Sequence, residues 1–255
     1  MRTITTATAL GTYLVRLGDD NVVIGQRLGE YVSRAPELEE DLASANTSLD
    51  HLGMARYLYT YAGEVEGDGR SEDDFAMLRT EREFTNAMLV EQPNTDFAHV
   101  LVRQFFFDAY QVPLWTALSS STDRHLAGIA AKGLKEATYH LRRSSTWMVR
   151  LGDGTDESNR RAQDAIDALW RYTGELFDSD DVERELDGSG IAPLSSSIES
   201  EWSATVDQVF ETAGLARSED SFQTSGGRNG IHTEHLGYLL AELQWMQRSY
   251  PGLSW

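Results

Sequence analysis

The feature that most constrains this chain is a succession of long segments in which apolar residues recur every three or four positions. This spacing is typical of amphipathic α-helices, and the sequence has no strict alternation bounded by tight turns, which β-hairpins require. Asp96 and Asp123 are candidate N-caps for two of the segments. Residues 67–96 have an irregular pattern with short helical pieces. The predicted helices cover residues 8–33, 37–65, 97–120, 123–151, 155–177, 179–187, 195–214 and 230–249.

The composition limits the partners and the location of the protein. The 41 acidic and 22 basic residues give a formal net charge of −19, which disfavours nucleic acid and anionic membranes as main partners. No run approaches the roughly 18 uncharged apolar residues that a membrane span needs. There is no cysteine, and the first residues lack a cleavable signal pattern. We therefore expect a cytoplasmic protein without disulfides or thiolate-bound metal.

The clearest apolar stripe lies on the second predicted helix, with spacings of four, three, four and three residues. Its members are Leu38, Leu42, Ala45, Leu49 and Leu52. Such a stripe is typical of a seam between packed helices, so we interpret it as the face turned towards a helical bundle. Asp50 and Gly53 lie beside this seam.

Polar residues recur at or beside the predicted inner face of each of the four long helices. Burying them is costly unless they are hydrogen-bonded or bind a metal. Di-iron carboxylate bundles use this arrangement, with a carboxylate from each of two helices and Glu-x-x-His from each of the other two. The matching positions here are Asn21, Asp50 with Gly53, Asp108, and Ala137 with His140. Two aspartates and one histidine are too few ligands for two irons.

These patterns together predict an all-α, ferritin-like four-helix bundle with additional C-terminal helices. We expect residues 1–255 to form a single ferritin-like helical domain. The buried polar residues are interpreted as a hydrogen-bond or ion-pair network at the position of a lost metal site. A residual metal site is the alternative.

Five segments spread over nearly the whole chain point to a known family. They are GQRLGEYVSRAPELEEDLASANTSLDHLGMAR, EQPNTDFAHVLVRQFFFDA, KEATYHLRRSSTWMVRLGDGTDES, DALWRYTGELF and GIHTEHLGYLLAELQWMQRSYPG. These segments resemble the family of C subunits of the bacterial phenylacetyl-CoA epoxidases. The resemblance implies a ferritin-like structural subunit that is not catalytic and has no cofactor of its own. It also implies that the positions at Asn21, Asp50/Gly53, Asp108 and Ala137/His140 are degenerate counterparts of metal ligands.

The same resemblance implies the partners and the reaction. The partner would be the related ferritin-like A subunit, which is catalytic and contains the di-iron centre, together with further small and reductase subunits. The complex would convert phenylacetyl-CoA, with O2 and electrons from NADPH, into a ring 1,2-epoxide. Two alternatives stay open: a stand-alone di-iron oxygenase or oxidase of ferritin-like fold, and an independent ferritin-like binding protein.

Three further features have two interpretations each. The HTEH motif of residues 232–235 fits a zinc site, or a helix start that contacts a partner. A local basic stretch fits an acidic partner or CoA phosphates, or a solvated helix face. The aromatic residues of the third predicted helix fit an interface with another protein chain of the complex, or a thick core. The candidate partner contacts are Lys132, Lys135, Arg142, Arg143, Arg228, His232, Glu234 and His235.

Overall fold

A computed structural model describes residues 5–253, which form helices, short 3-10 turns and loops, and no β-strand within that range. None of the helices in this range is long and apolar enough to cross a membrane. The ten α-helices are α1 (Thr6–Tyr31), α2 (Leu38–Glu66), α3 (Glu72–Met77), α4 (Phe97–Leu118), α5 (Arg124–Gly152), α6 (Asp156–Leu169), α7 (Asp181–Gly188), α8 (Glu199–Ala213), α9 (Glu234–Leu243) and α10 (Trp245–Ser249). The predicted all-α class is confirmed.

The chain divides into two compact units. Unit 1 consists of Met1–Pro93 and Ser225–Trp255, and unit 2 consists of Asn94–Thr224. Each unit contains one pair of long helices that pack against each other and are joined by a short loop, α1 with α2 and α4 with α5. Such helix pairs are the building blocks of ferritin-like proteins. The prediction of one domain over residues 1–255 stays a prediction.

The predicted helix bounds agree with the structure to within about two residues for the four long helices, because local caps set them. The Asp96 side chain accepts a hydrogen bond from the His99 backbone N–H (2.9 Å). Asp123 likewise caps α5 through the N–H groups of His125 (2.9 Å) and Leu126 (3.0 Å). Both predicted N-caps are therefore confirmed.

The predicted helices after α5 are shorter than expected. The 155–177 segment is α6 followed by 3-10 turns over 170–172 and 174–177, and the 195–214 segment begins with a 3-10 turn over 195–198. In the 230–249 segment, Gly230 has a left-handed φ of 72° and lies in the loop before α9. The Gln244 side chain, between α9 and α10, donates to the carbonyls of Ala76 and Arg79. These breaks depend on tertiary contacts, which helical periodicity does not report.

The core of unit 2 surrounds α4, which packs against α5, α6 and α8. Five large aromatic residues of α4 are at most 3 % exposed. Phe106 has its ring near those of Trp170 and Trp202, and its carbonyl accepts from Trp202 Nε1 (3.0 Å). The thick core is thus the correct interpretation of these aromatic residues, and the expected interface with another chain is wrong for them. They are Phe105, Phe106, Phe107, Tyr110 and Trp115.

The predicted inward seam of α2 is wrong. Leu38, Leu42 and Leu49 are 70 %, 58 % and 65 % exposed. The buried face is rich in small and polar residues instead, and the Ser48 hydroxyl donates to the Gly25 carbonyl of α1 (2.7 Å). Small side chains let α2 approach α1 closely, so the more apolar stripe faces outward. The buried residues of α2 are Ser44, Thr47, Ser48, His51, Met54, Ala55, Leu58, Tyr59, Ala62 and Gly63.

Gly152, at the end of α5, provides a test of the packing in unit 2. A Cβ atom placed there would lie 2.2 Å from the Ala213 carbonyl oxygen at the end of α8. Because backbone cannot move as easily as a side chain, Gly152→Ala should lower the free energy of unfolding by about 1–3 kcal/mol. The control is Gly128→Ala on the same helix, where the new methyl meets nothing within 4 Å. Urea denaturation should show this control to be neutral or up to about 1 kcal/mol more stable. Equal stability of the two variants would contradict the close α5–α8 contact.

Candidate functional site

Unit 1 contains two consecutive buried acids on α1, Asp19 and Asp20, which are 0 % and 1 % exposed. Asp19 forms an ion pair with Arg79 and accepts from the Tyr59 hydroxyl (2.5 Å). It also accepts from the backbone N–H (2.7 Å) and hydroxyl (2.9 Å) of Thr85. Burial, followed by the charge of Asp19, raises the pKa of Tyr59 well above its usual value. Asp19 therefore fixes the irregular segment that contains Arg79 and Thr85 against α1.

Asp20 holds the segment that contains Arg228 against α1. Arg228 binds Asp20 through two hydrogen bonds of 2.9 and 2.8 Å, and the Ala87 N–H donates to the same carboxylate (2.7 Å). Burial raises the pKa of Asp20, against the opposing effect of Arg228. Arg228 also donates to the Thr85 carbonyl (2.9 Å), and its side chain is only 16 % exposed. The guanidinium of Arg228 is thus used inside unit 1, and a partner contact of this residue stays a prediction.

Glu91 is the third buried acid of unit 1 and explains the HTEH motif. Its carboxylate accepts from the backbone N–H (2.6 Å) and hydroxyl (2.7 Å) of Thr233, and from the Asn86 amide (2.9 Å). It also pairs with His232 Nδ1 (2.9 Å), and His232 Nε2 lies 2.9 Å from the Phe84 carbonyl oxygen. Both ring nitrogens of His232 therefore lie within hydrogen-bond distance of an oxygen atom of unit 1.

The geometry of His232 decides between the interpretations of the motif. Its Nδ1 already lies 2.9 Å from Glu91 and its Nε2 lies 2.9 Å from the Phe84 carbonyl oxygen, so neither nitrogen is directed at a zinc ion in this arrangement. The His232 side chain is 4 % exposed, and a partner contact of this residue stays a prediction. Glu234 is exposed and His235 is half-buried, and a partner contact stays a prediction for these two.

The long helices of unit 1 also contribute a buried polar pair. His51 Nδ1 lies 2.9 Å from Asn21 Oδ1, and the Asn21 amide donates to the Leu17 carbonyl (2.8 Å). Asn21 is buried, as predicted, whereas Asp50 and Gly53 are only half-buried and lie off the buried face of α2. The buried histidine of this helix is His51, and Ser48 lies three residues before it on the same face; they are 2 % and 5 % exposed. Sequence reasoning missed them because it took the leucine stripe as the inner face.

Unit 2 contains a buried cluster around Asp108, which is 0 % exposed. Its carboxylate accepts from the Gln104 amide (2.6 Å) and the Ser144 hydroxyl (2.8 Å). Burial raises the pKa of Asp108 to about 6, while the charges of His140 and Arg143 and the two hydrogen bonds act in the opposite direction. The predicted residues Asp108 and His140 thus belong to one cluster.

The buried face of α5 contributes Ala137 and His140, which are 1 % and 3 % exposed. On the same helix Lys132, Lys135 and Arg142 are exposed, and Lys132 lies 3.8 Å from Glu136. Arg143 is half-buried and close enough to influence Asp108. A contact with a partner stays a prediction for these four basic residues.

The balance of charge in unit 1 is that of a structural network. Its three buried acids each have partners within the unit: Asp19 pairs with Arg79, Asp20 pairs with Arg228, and Glu91 is hydrogen-bonded by His232 and Thr233. In a carboxylate metal site the metal supplies this positive charge. Di-iron bundles use Glu-x-x-His, whereas the buried histidines of α2 and α5, His51 and His140, have Ser48 and Ala137 three residues before them. These residues do not fit a di-iron centre, because neither pair contains a carboxylate.

Paired long helices, with a buried histidine three residues after a small residue on α2 and again on α5, define a ferritin-like helical protein. The chain belongs to the phenylacetic acid catabolic protein family, whose model matches residues 2–255. It is 49 % identical over 246 residues to the C subunit of the 1,2-phenylacetyl-CoA epoxidase of Escherichia coli (strain K12), and the match covers 96 % of this chain and 99 % of that protein. The resemblance inferred from the five segments is confirmed.

A second relative comes from the same organism. The chain is 25 % identical over 142 residues to the A subunit of the 1,2-phenylacetyl-CoA epoxidase of Escherichia coli (strain K12). The match covers 56 % of this chain and 45 % of that protein. The chain is therefore similar to two subunits of one enzyme, and much more so to the C subunit.

Proposed function

We propose that this chain is the structural, non-catalytic subunit of a phenylacetyl-CoA epoxidase complex that acts in aerobic phenylacetate degradation. The observation that carries the proposal is the pair of buried motifs without an acid, Ser48–His51 and Ala137–His140. The near full-length similarity to the C subunit of such an enzyme supports the same role.

The lost ligands follow from these motifs. We propose that Asn21, Ser48 with His51, Asp108, and Ala137 with His140 occupy the positions of the ligands of a di-iron relative. This set replaces Asp50 and Gly53 of the sequence-based prediction with Ser48 and His51. Serine, alanine and asparagine bring no negative charge to offset two irons. Hydrogen bonds, in place of a metal, satisfy these buried polar groups. His51 pairs with Asn21 in unit 1, and Ser144 and Gln104 donate to Asp108 in unit 2.

The chemistry of the complex would lie in its partner. The A subunit, with its di-iron centre, would activate O2, and small and reductase subunits would complete the cytoplasmic assembly. The similarity of this chain to both the A and the C subunits of one enzyme supports a pair of related ferritin-like proteins. The buried ion pairs of Asp19 and Asp20 and the hydrogen bonds around Glu91 and Asp108 would keep this chain rigid as a support.

The test is co-expression of this chain with the A subunit of the E. coli enzyme, followed by purification and metal analysis. We expect a stable complex in which iron is bound by the A subunit, while this chain purified alone contains no iron above background. Near-stoichiometric iron in this chain alone would instead support a stand-alone di-iron oxidase. A chain that contains no iron and does not copurify with the A subunit would support an independent binding protein.

A further inference from the structure

We infer that the outward face of α2 is the surface on which a long helix of the ferritin-like partner subunit docks. This inference rests on the proposed function and adds the location of the contact. The surface, called the α2 stripe below, consists of Leu38, Leu42, Ala45, Leu49 and Leu52.

The exposure of the α2 stripe is its first unusual property. Leu38, Leu42 and Leu49 are 58–70 % exposed, and Ala45 and Leu52 are half-buried. Single exposed leucines are ordinary on protein surfaces. The members of the α2 stripe, in contrast, share one face of one helix over about 14 residues, a length of about 21 Å at 1.5 Å per residue. A continuous apolar strip of this kind marks an interaction site.

The spacing of the α2 stripe identifies the occupant as a helix. Spacings of four, three, four and three residues repeat every 3.5 residues on average, which is the period of knobs-into-holes packing between two helices. Contact with an extended strand would not require this period. The stripe is therefore complementary to a second helix that runs along α2.

A groove extends the α2 stripe at its C-terminal end. It has a volume of about 370 Å³, and Leu52 belongs to both the stripe and the groove. Val22, Ala55 and Tyr59 provide buried apolar walls, and the exposed side chain of Arg56 lies at the opening. A large side chain of the docking helix would fill this space and anchor the contact, as buried aromatic or aliphatic residues do at interface hot spots.

The charges beside the α2 stripe favour a different protein over a second copy of this chain. Glu37 and Glu39 flank Leu38, and Asp50 flanks Leu49. Two copies would bring these acids towards each other, on molecules that each have a net charge of −19, and like charges across an interface oppose association. The occupant is therefore the partner subunit, with basic residues beside its docking helix.

The first experiment measures binding of the A subunit of the E. coli enzyme to this chain. Leu42→Glu combined with Leu49→Glu should weaken binding by about 100-fold or more, because two charges would be buried in the apolar centre of the contact. Both positions are exposed, so circular dichroism and thermal unfolding should match the unsubstituted chain. The matched control is Tyr238→Glu on α9, also in unit 1, which removes a side chain that is 74 % exposed and should leave binding unchanged.

A second measurement does not depend on charged variants. The chain contains no cysteine, so Leu49→Cys introduces a unique thiol on the α2 stripe. Its reaction with a thiol reagent should slow at least about 10-fold when the A subunit is bound, because a docked helix would cover the thiol. Tyr238→Cys should react at the same rate with and without the partner.

Three outcomes would overturn the proposals in different ways. If the unsubstituted chain does not bind the A subunit, the proposed function fails, and the inference fails with it. If it binds and both the double variant and the labelling rates are unaffected, only the inference fails. Self-association that is abolished by the double variant would show that the occupant is a second copy, and would also overturn the inference.

Discussion

Replacing Asp19 by alanine is expected to lower the free energy of unfolding by about 3–5 kcal/mol. Asp19 is fully buried and its partner Arg79 is 8 % exposed, so the variant would leave a guanidinium inside unit 1 without its counter-charge. The hydroxyl of Tyr59 and the backbone N–H of Thr85 would lose an acceptor in the same step. An unpaired buried charge costs far more than the pair contributed while intact.

Urea denaturation followed by circular dichroism measures this loss. The matched control is Asp207→Ala, which breaks an ion pair with Arg217 whose side chains are 59 % and 41 % exposed. Such an exposed pair contributes at most about 1 kcal/mol. If Asp19→Ala and Asp207→Ala had equal effects, Asp19 would not be a buried anchor of unit 1. Asp19→Asn should fall between them, because it keeps the shape and part of the hydrogen bonding.

The second large effect is on the pH dependence of stability and comes from Asp108. Burial raises the pKa of Asp108 from 3.8 to about 6. The folded chain therefore binds this proton more tightly than the unfolded chain, and the carboxyl lowers stability as pH rises from about 4 through 6. Asp108→Asn removes this titration. Relative to the unsubstituted chain, the variant should gain about 2–3 kcal/mol between about pH 4 and pH 7.5.

The change with pH is the quantity to compare, because the asparagine also alters the hydrogen bonds with Gln104 and Ser144 at every pH. Ser144→Ala provides a test of opposite sign. It removes a donor to the charged form of Asp108, so the pKa of Asp108 should rise further and stability should fall more steeply with pH. If the pH dependence of both variants matches that of the unsubstituted chain, Asp108 does not titrate in this range.

Sequence patterns predicted the helices well because the causes are local. Helical periodicity indicated the four long helices, and the caps Asp96 and Asp123 marked two of their starts. The surroundings of the α4 aromatic residues and the orientation of α2 could not be assigned in this way. In both helices, more than one face has apolar or small residues that could be buried. Which of these faces is covered depends on other parts of the chain or on a partner.

The residues of the candidate site also divide into those that a local pattern identified and those that it did not. Asn21, Asp108 and His140 were placed correctly on buried faces because each interrupts an apolar stripe. Asp50 and Gly53 were chosen in place of Ser48 and His51 because the leucine stripe of α2 was assumed to face inward. A stripe can be apolar because it meets another molecule, so apolarity alone does not orient a helix.

The ion pairs of unit 1 were missed for a different reason. Asp19 and Asp20 are adjacent, yet their partners Arg79 and Arg228 lie 60 and 208 residues further along the chain. Nothing in a local pattern links such distant residues. The signal that was available is the Asp-Asp pair itself, since two acids within the apolar stretch of α1 need counter-charges.

The discontinuity of unit 1 also has a consequence for how the protein is made. A ribosome releases residues in order, so all of unit 2 emerges before Arg228 and His232 do. Until then Asp20 lacks its arginine partner, and Glu91 lacks the His232 and Thr233 groups that hydrogen-bond to it, so burying these two acids is costly. Unit 2 is thus the part that is able to fold during synthesis. The segment from Ser225 onward then supplies the contacts that α1 needs in order to be fully buried.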